Sequence, residues 1–94
     1  MNILIITEVQ KKLRRRHGVR LAEVEECFVN ATHGTIVDTR ERHRTVPPTE
    51  WFIAETDAGR RLKVVFIEDE FGDLIIKTAY EPDANEEALY DELK

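Results

Sequence analysis

The alternation of apolar and polar positions is clearest between residues 51 and 80, where short polar segments separate three apolar runs. Each run has the length of a β-strand and is rich in Val, Ile, Phe or Leu. The runs are Trp51–Thr56, Leu62–Glu68 and Leu74–Ala79. The two separators, 57–60 and 69–73, each contain a glycine and other turn-forming residues. Short separators of this kind join antiparallel strands, so the pattern predicts a three-stranded meander.

Helical periodicity predicts two helices before the meander. The first is expected at about 8–16, with Thr7 opening a capping box and Gly18 ending the helix. The second is expected at about 21–30, where apolar residues recur at helical spacing. The arginines in the last turn of the first helix are favourably placed against the helix dipole, which gives that basic run a purely structural explanation.

A third helix is expected after the meander. Asp83 followed by Glu86 three residues later is a capping signature, so the helix should begin near Asp83. Leu89 and Leu93 are four residues apart and are predicted to form its inward stripe.

Two other segments, Asn2–Ile6 and 34–39, have strand-like composition, although the first is equally well described as an extended arm. Pro47-Pro48 excludes a helix from the loop that follows. The order of elements predicts a single domain over residues 1–94. Its expected class is α+β: a small antiparallel sheet of about four strands, with two N-terminal helices and one C-terminal helix on one face.

The chain has a formal net charge of −5, but this charge is unevenly distributed. Residues 1–63 carry 12 Lys and Arg against 9 Asp and Glu, whereas residues 64–94 carry 2 against 10. Such asymmetry is compatible with a basic face that binds nucleic acid. It is equally compatible with an acidic C-terminal helix that only improves solubility.

The cysteine content and the apolar runs bear on localisation. A single cysteine, Cys27, permits no internal disulfide and fits a reducing cytoplasm. Its position in a helical pattern favours a packed thiol over a nucleophile. No apolar run approaches the roughly 20 residues that span a bilayer. Met1–Thr7 has no basic region before it, so it is not expected to be a signal peptide.

The densest group of chemically active side chains is the sequence Arg-Glu-Arg-His-Arg at 40–44. His43 or Glu41 has the chemistry to take a proton from a ribose 2′-hydroxyl, and the arginines, including Arg44, have the chemistry to hold phosphate charge. The alternative is a solvated loop whose charges neutralise one another.

Basic residues also interrupt the predicted strands. Alternation along 62–66 puts the apolar residues on one face and Lys63 on the other. Lys77 similarly interrupts the last strand, and the two lysines either hold phosphate or protect the sheet surface from aggregation. Tyr80 ends that strand and is either a packing residue at the rim or a group that stacks on a base or donates a proton. The histidines lack the spacing of a zinc site, and neither a metal nor a cofactor is expected.

Several segments resemble a known family. RRRHGV (Arg14–Val19), followed by an acidic-apolar helix containing Cys27-Phe28, resembles the opening of BrnT-type toxins. GRRLKVVF (Gly59–Phe66) and LIIKTAYEPDANEEALY (Leu74–Tyr90) are similar to that family's later strands and last helix. The similarity covers most of residues 12–90. BrnT toxins belong to the RelE/ParE superfamily, so the resemblance implies a RelE-like sheet with helices packed on it.

The resemblance implies a bacterial, cytoplasmic toxin of a type II toxin–antitoxin system. Such a protein inhibits translation as a metal-independent endoribonuclease and is neutralised by a cognate antitoxin, and a free toxin of this type can form a homodimer. The site that it implies, together with the basic loop, consists of His43, Arg44, Arg60, Lys63, Lys77 and Tyr80.

Two alternatives accompany this interpretation. A non-catalytic module with the same fold would bind a protein partner through its sheet or its acidic helix. The chain is also similar to short bacterial proteins labelled ADP-ribosyl-(dinitrogen reductase) hydrolase. The hydrolases that this label invokes use clustered aspartates on two Mg²⁺ ions, and the sequence suggests no such cluster.

Overall fold

The computed structural model describes residues 2–40 and 45–93, so the predicted site residues His43 and Arg44 lie outside the described residues. Within these ranges the chain has the predicted α+β class. The strands are β1 (Ile3–Leu4), β2 (Ile36–Val37), β3 (Glu50–Glu55), β4 (Arg61–Glu68) and β5 (Leu74–Tyr80), and the helices are α1 (Thr7–Lys12), α2 (Leu21–Asn30) and α3 (Ala84–Asp91). A π-helical segment, Leu13–His17, continues α1 directly, and the two together are termed the first helix.

The sheet has five strands in the order β1-β5-β4-β3-β2. Strands β2 to β5 pair antiparallel, as the meander pattern predicts. However, β1 joins the far edge parallel to β5, with Ile3 opposite Leu74. The prediction of about four antiparallel strands is therefore wrong in strand number and direction, because a two-residue strand carries too little pattern to reveal its pairing. The predicted strand 34–39 is likewise reduced to the two residues of β2.

The helices lie on both faces of the sheet, not on one as predicted. Helix α2 packs Phe28 against Phe52, with ring centroids 4.8 Å apart. Helix α3 packs Tyr90 against Trp51, with centroids 5.9 Å apart. Trp51 and Phe52 are adjacent in β3, and neighbouring residues of a strand point to opposite faces of the sheet. Helix α3, which contacts Trp51, and helix α2, which contacts Phe52, therefore lie on opposite faces. The apolar residues Leu62, Val64 and Phe66 of β4 are buried on the α2 side, as alternation predicts.

The ends of the first helix are partly as expected. Gly18 ends it in the left-handed conformation, at φ 61°, which glycine adopts without a Cβ clash. Thr7 is not the cap, because the helix begins at Thr7 itself and Ile6 precedes it without a side-chain hydrogen bond. No described helix is long and apolar enough to cross a membrane.

The inward side of α3 differs from the prediction. Leu89 and Leu93 are 47% and 43% exposed, whereas Tyr90 is only 2% exposed. The Tyr90 ring covers Trp51, and its hydroxyl donates a hydrogen bond to the carbonyl of Gly34 at 2.7 Å. A tyrosine can both cover the Trp51 ring and donate a hydrogen bond, whereas a leucine has no hydrogen-bonding group.

Candidate functional site

A groove of about 800 Å³ lies on the α3 side of the sheet. Its wall combines apolar and charged side chains from β2, β3, β4, β5, α3 and the segment after β2. The members used below are Asp38, Arg40, Trp51, Lys63, Tyr80 and Glu86. This surface is termed the Lys63 groove.

Lys63 lies at the centre of the charged part of the groove. Strand alternation turns its side chain away from the main core, as predicted, and leaves that side chain only 12% exposed. Its ammonium donates to Glu86 Oε2 at 2.6 Å and lies 4.4 Å from the ring centroid of Trp51. The carboxylate and the aromatic face both favour a cation, so Lys63 is held in its charged form.

Glu86 is held in place by the start of α3. The Glu86 amide donates to Asp83 Oδ1 at 2.8 Å, and Glu86 Oε1 accepts from the Asp83 amide at 3.0 Å. This reciprocal capping box confirms the predicted cap. It also fixes one carboxylate oxygen and points the other, Oε2, at Lys63.

Tyr80 completes a triad with these two residues. Its hydroxyl donates to the same Glu86 Oε2 at 2.8 Å. Tyr80 lies opposite Lys63 in the β4–β5 pairing, so the antiparallel register brings the two side chains to one face. Its ring centroid lies 5.5 Å from that of His17, which connects the groove to the end of the first helix.

The protonation states of the triad follow from these contacts. Burial opposes the charge on Lys63, but its hydrogen bonds to Glu86 and Tyr80 outweigh burial and raise its pKa. Burial also opposes the charge on Glu86, yet Lys63 and the Asp83 amide lower its pKa overall. Burial and the hydrogen bond to Glu86 raise the pKa of Tyr80. At neutral pH the groove therefore holds an ammonium, a carboxylate and a protonated phenol in contact.

These three groups have complementary chemical abilities. The ammonium has three N–H donors, and its hydrogen bonds to Glu86 and Tyr80 leave one of them for a ligand. A phosphate oxygen is a suitable acceptor for this donor. The ionised carboxylate can accept a proton or a hydroxyl hydrogen bond, and the phenol can donate a proton to an oxygen that becomes negative. Proton acceptance, proton donation and charge stabilisation are the abilities that cleavage of a phosphodiester uses.

The described residues on either side of the predicted basic loop, Arg40 and Thr45, both line the groove. The Arg40 guanidinium pairs with Asp38, with Nη2 and Oδ2 2.9 Å apart. The intervening His43 and Arg44 lie outside the described residues, and their site roles stay predictions.

Arg60 does not line the Lys63 groove but shares a smaller depression with His17, Tyr80 and Glu81, and it is occupied by structural contacts. Its guanidinium donates to the carbonyls of His17 at 2.7 Å and Gly18 at 2.9 Å. It also pairs with Glu81 at 2.8 Å and with the buried Glu23 at 3.4 Å. Arg60 thus caps the C-terminus of the first helix and joins it to the start of β4.

Lys77 does not lie beside Lys63. The register of β4 against β5 shifts between two neighbouring residues of β4. Val65 pairs with Thr78 and Phe66 pairs with Ile76, so Lys77 has no partner in β4. Lys77 is the extra residue of a β-bulge and is exposed. A bulge interrupts the alternation from which a shared surface for the two lysines was predicted.

Two functional candidates were missed by sequence reasoning. Glu86 was recognised only as a helix cap, and Trp51 only as a strand residue. The capping pattern does fix the orientation of the Glu86 carboxylate, but nothing in the sequence pairs it with a lysine 23 positions earlier.

No match to a known protein supplies an identity: neither a family model nor a curated protein sequence matches the chain. Within residues 2–40 and 45–93, no group of three or more His, Cys, Asp and Glu side chains is arranged to hold a metal ion.

Proposed function

We propose that the chain is a toxin-like component of a type II toxin–antitoxin system that cleaves RNA in the Lys63 groove without a metal. The observation that carries the proposal is the hydrogen-bonded set Lys63–Glu86–Tyr80 inside a concave surface. The resemblance of residues 12–90 to BrnT-type toxins supports the same class of function. Bacterial cytoplasm is the compartment in which such a protein acts.

The chemistry assigns one role to each member of the triad. Glu86 accepts the proton of the ribose 2′-hydroxyl as its oxygen attacks phosphorus. Lys63 stabilises the negative charge that develops on the phosphate oxygens. Tyr80 gives its proton to the 5′-oxygen as the phosphorus–oxygen bond breaks. The products are a 2′,3′-cyclic phosphate and a free 5′-hydroxyl.

The segment that contains His43 and Arg44 adds to this proposal. Its described flanking residues, Arg40 and Thr45, line the same groove as the triad. His43 is proposed as a second proton acceptor and Arg44 as a phosphate ligand. Arg60 and Lys77, in contrast, are no longer proposed as catalytic, because the first is engaged by the helix terminus and the second is outside the groove lining.

Induced expression in a bacterial host tests the proposal. Expression should stop incorporation of labelled amino acids, and Lys63→Ala should restore it. Lys77→Ala is the matched control, since it removes one lysine charge from the same sheet outside the groove, and it should remain toxic. Purified protein should leave cyclic phosphate ends on RNA in the presence of a chelator. Growth arrest that persists in soluble, folded Lys63→Ala would exclude the triad as the site.

A second candidate is a non-catalytic module that binds a protein partner through the same groove. It is favoured by the pairing of Lys63 with Glu86, which neutralises the buried cation before any ligand arrives. The groove is also bordered by Val37 and Leu89, which are 45% and 47% exposed. An apolar segment of a partner would cover these side chains. Unimpaired growth at high soluble expression, with no RNA cleavage by the purified protein, would favour this candidate.

A further inference from the structure

The first helix carries a concentration of cations without partners. Most described cations outside it form ion pairs: Arg20, Arg40, Arg60, Arg61 and Lys63 each contact a carboxylate within 4.0 Å. Among residues 2–40 and 45–93, the cations for which no ion pair is found are Lys11, Lys12, Arg14, Arg15, Arg16 and Lys77. Five of these six lie within six consecutive positions.

Helical geometry brings four of these charges to one side. Residues four apart on a helix are neighbours, so Lys11 lies beside Arg15 and Lys12 beside Arg16, whereas Arg14 lies on a different side. The side that faces the sheet is made by Leu13, which is 2% exposed, while the cations are exposed. The four residues Lys11, Lys12, Arg15 and Arg16 are termed the basic helix face. Like charges at this spacing repel one another, and the helix dipole favours cations only in the last turn.

The end of the first helix lies beside the Lys63 groove. The first helix packs against β5, and its last residue, His17, has its ring 5.5 Å from the ring of Tyr80, which lines the groove. His17 and Tyr80 share a depression with Arg60 and the exposed carboxylate of Glu81. A flexible polyanion that occupies the groove can cross this depression beside Arg60 and follow the first helix.

We infer that the basic helix face binds the phosphate backbone of a single-stranded RNA whose adjoining segment occupies the Lys63 groove. The inference rests on the proposed function for the choice of RNA, and it assigns substrate binding to a surface outside the catalytic triad. Charge complementarity supports this ligand, because two arginines and two lysines present guanidinium and ammonium donors with no carboxylate between Lys11 and Arg16.

The test compares two RNA lengths and two sets of variants. The probes are a fluorescent 20-nucleotide RNA with 2′-O-methyl groups, which resists cleavage by 2′-oxygen attack, and an ordinary dinucleotide. The quadruple variant Lys11→Gln, Lys12→Gln, Arg15→Gln, Arg16→Gln should bind the 20-mer at least about 10-fold more weakly than the unaltered chain. Its log–log dependence of affinity on salt should be shallower by about 3, at roughly 0.7 for each lost phosphate contact. Cleavage of the dinucleotide, which is too short to reach the helix, should stay within about twofold.

Single substitutions provide the matched comparison. Arg15→Gln should reduce the salt dependence by about 0.7, whereas Lys77→Gln, which removes an unpaired cation elsewhere, should not change it.

Equal affinity of the quadruple variant and the unaltered chain for the 20-mer would overturn the inference and leave the proposed function intact. Helix-dependent binding of the 20-mer, together with no cleavage of the ordinary dinucleotide, would overturn the ribonuclease proposal and support the inference. If the unaltered chain binds no RNA, both are wrong. If light scattering shows that the substitutions dissociate a dimer with no change in RNA affinity, the face is a contact between copies and the inference is overturned.

Discussion

Glu86 makes the ionic contact of the groove dependent on pH. Its folded-state pKa lies below its ordinary value, so its ionised form stabilises the fold above that value and this contribution is lost as pH falls through the folded pKa. Glu86→Gln should cost about 1–2 kcal/mol at pH 7, because the half-buried Lys63 loses its charged partner. Denaturant unfolding at several pH values measures this.

The variant should also lose part of the acid sensitivity that the protein shows below about pH 5. Glu70→Gln, in the exposed β4–β5 turn, is the matched control and should change stability by less than about 0.5 kcal/mol. Identical pH profiles for Glu86→Gln and the unaltered chain would contradict the assigned protonation state.

For Cys27, the helical pattern of the sequence was sufficient to predict a packed, unreactive thiol. It is fully buried, its thiol lies 3.7 Å from the carbonyl oxygen of Ala54, and burial raises its pKa to about 12, with the charges of Glu23 and Glu26 adding to the effect. A thiol in this state is unreactive. At pH 8 a water-soluble disulfide reagent should label the native chain at least about 100-fold more slowly than the urea-unfolded chain. Comparable rates in the two states would contradict the burial of this helix face.

At the level of elements, α3 connects helix capping to site geometry. Asp83→Ala removes the side-chain acceptor of the Glu86 amide and should cost about 1 kcal/mol in the free energy of unfolding. If the proposed function is correct, it should also reduce RNA cleavage, because the Glu86 carboxylate is no longer held by the capping box. Asn85→Ala, an exposed change in the same turn, is the control for helix propensity. An equal loss of RNA cleavage in both variants would show that the loss does not result from removal of the Asp83 cap.

The end of the first helix and the loop before β2 offer a comparison of two glycines. An added Cβ meets no atom within 4 Å at Gly18 or at Gly34, so only the backbone conformation distinguishes them. Gly18 has φ +61°, and Gly18→Ala should cost about 1–2 kcal/mol. Gly34→Ala should be neutral or slightly stabilising, by up to about 1 kcal/mol. Equal unfolding free energies for the two variants would show that the left-handed end is not required.

Across the whole molecule, local pattern predicted most elements, and long-range contacts decided the rest. The meander, α2 and the start of α3 follow from strand composition, periodicity and capping. The parallel partner of β1 does not, because two residues pair with Leu74 and Ile75 some 70 positions away. In the candidate site, alternation predicted that Lys63 leaves the core, but neither its pairing with Glu86 nor the bulge at Lys77 is encoded in a local pattern.

Arg60, which was predicted as a site residue, makes contacts that link several parts of the fold. Its guanidinium joins the C-terminus of the first helix, the start of β4 and Glu23 of α2, whose side chain is only 11% exposed. Arg60→Met keeps the apolar stem and removes the charge. It should cost about 2 kcal/mol, less than a fully buried pair, because the arginine side chain is 27% exposed.

A double-mutant cycle with Glu23→Gln isolates the pair from the helix-capping contacts of Arg60. The two substitutions should be non-additive by about 1 kcal/mol, since each removes the same ion pair. Glu81→Gln supplies the comparison cycle, because the Glu81 side chain is 66% exposed and its coupling should be under about 0.5 kcal/mol. A Glu23 coupling no larger than that of Glu81 would mean that the arginine acts through the carbonyls of His17 and Gly18 alone. If the proposed function is correct, RNA cleavage in the Lys63 groove should be the same in Arg60→Met as in the unaltered chain at a temperature where both are folded, because Arg60 is not in the groove lining.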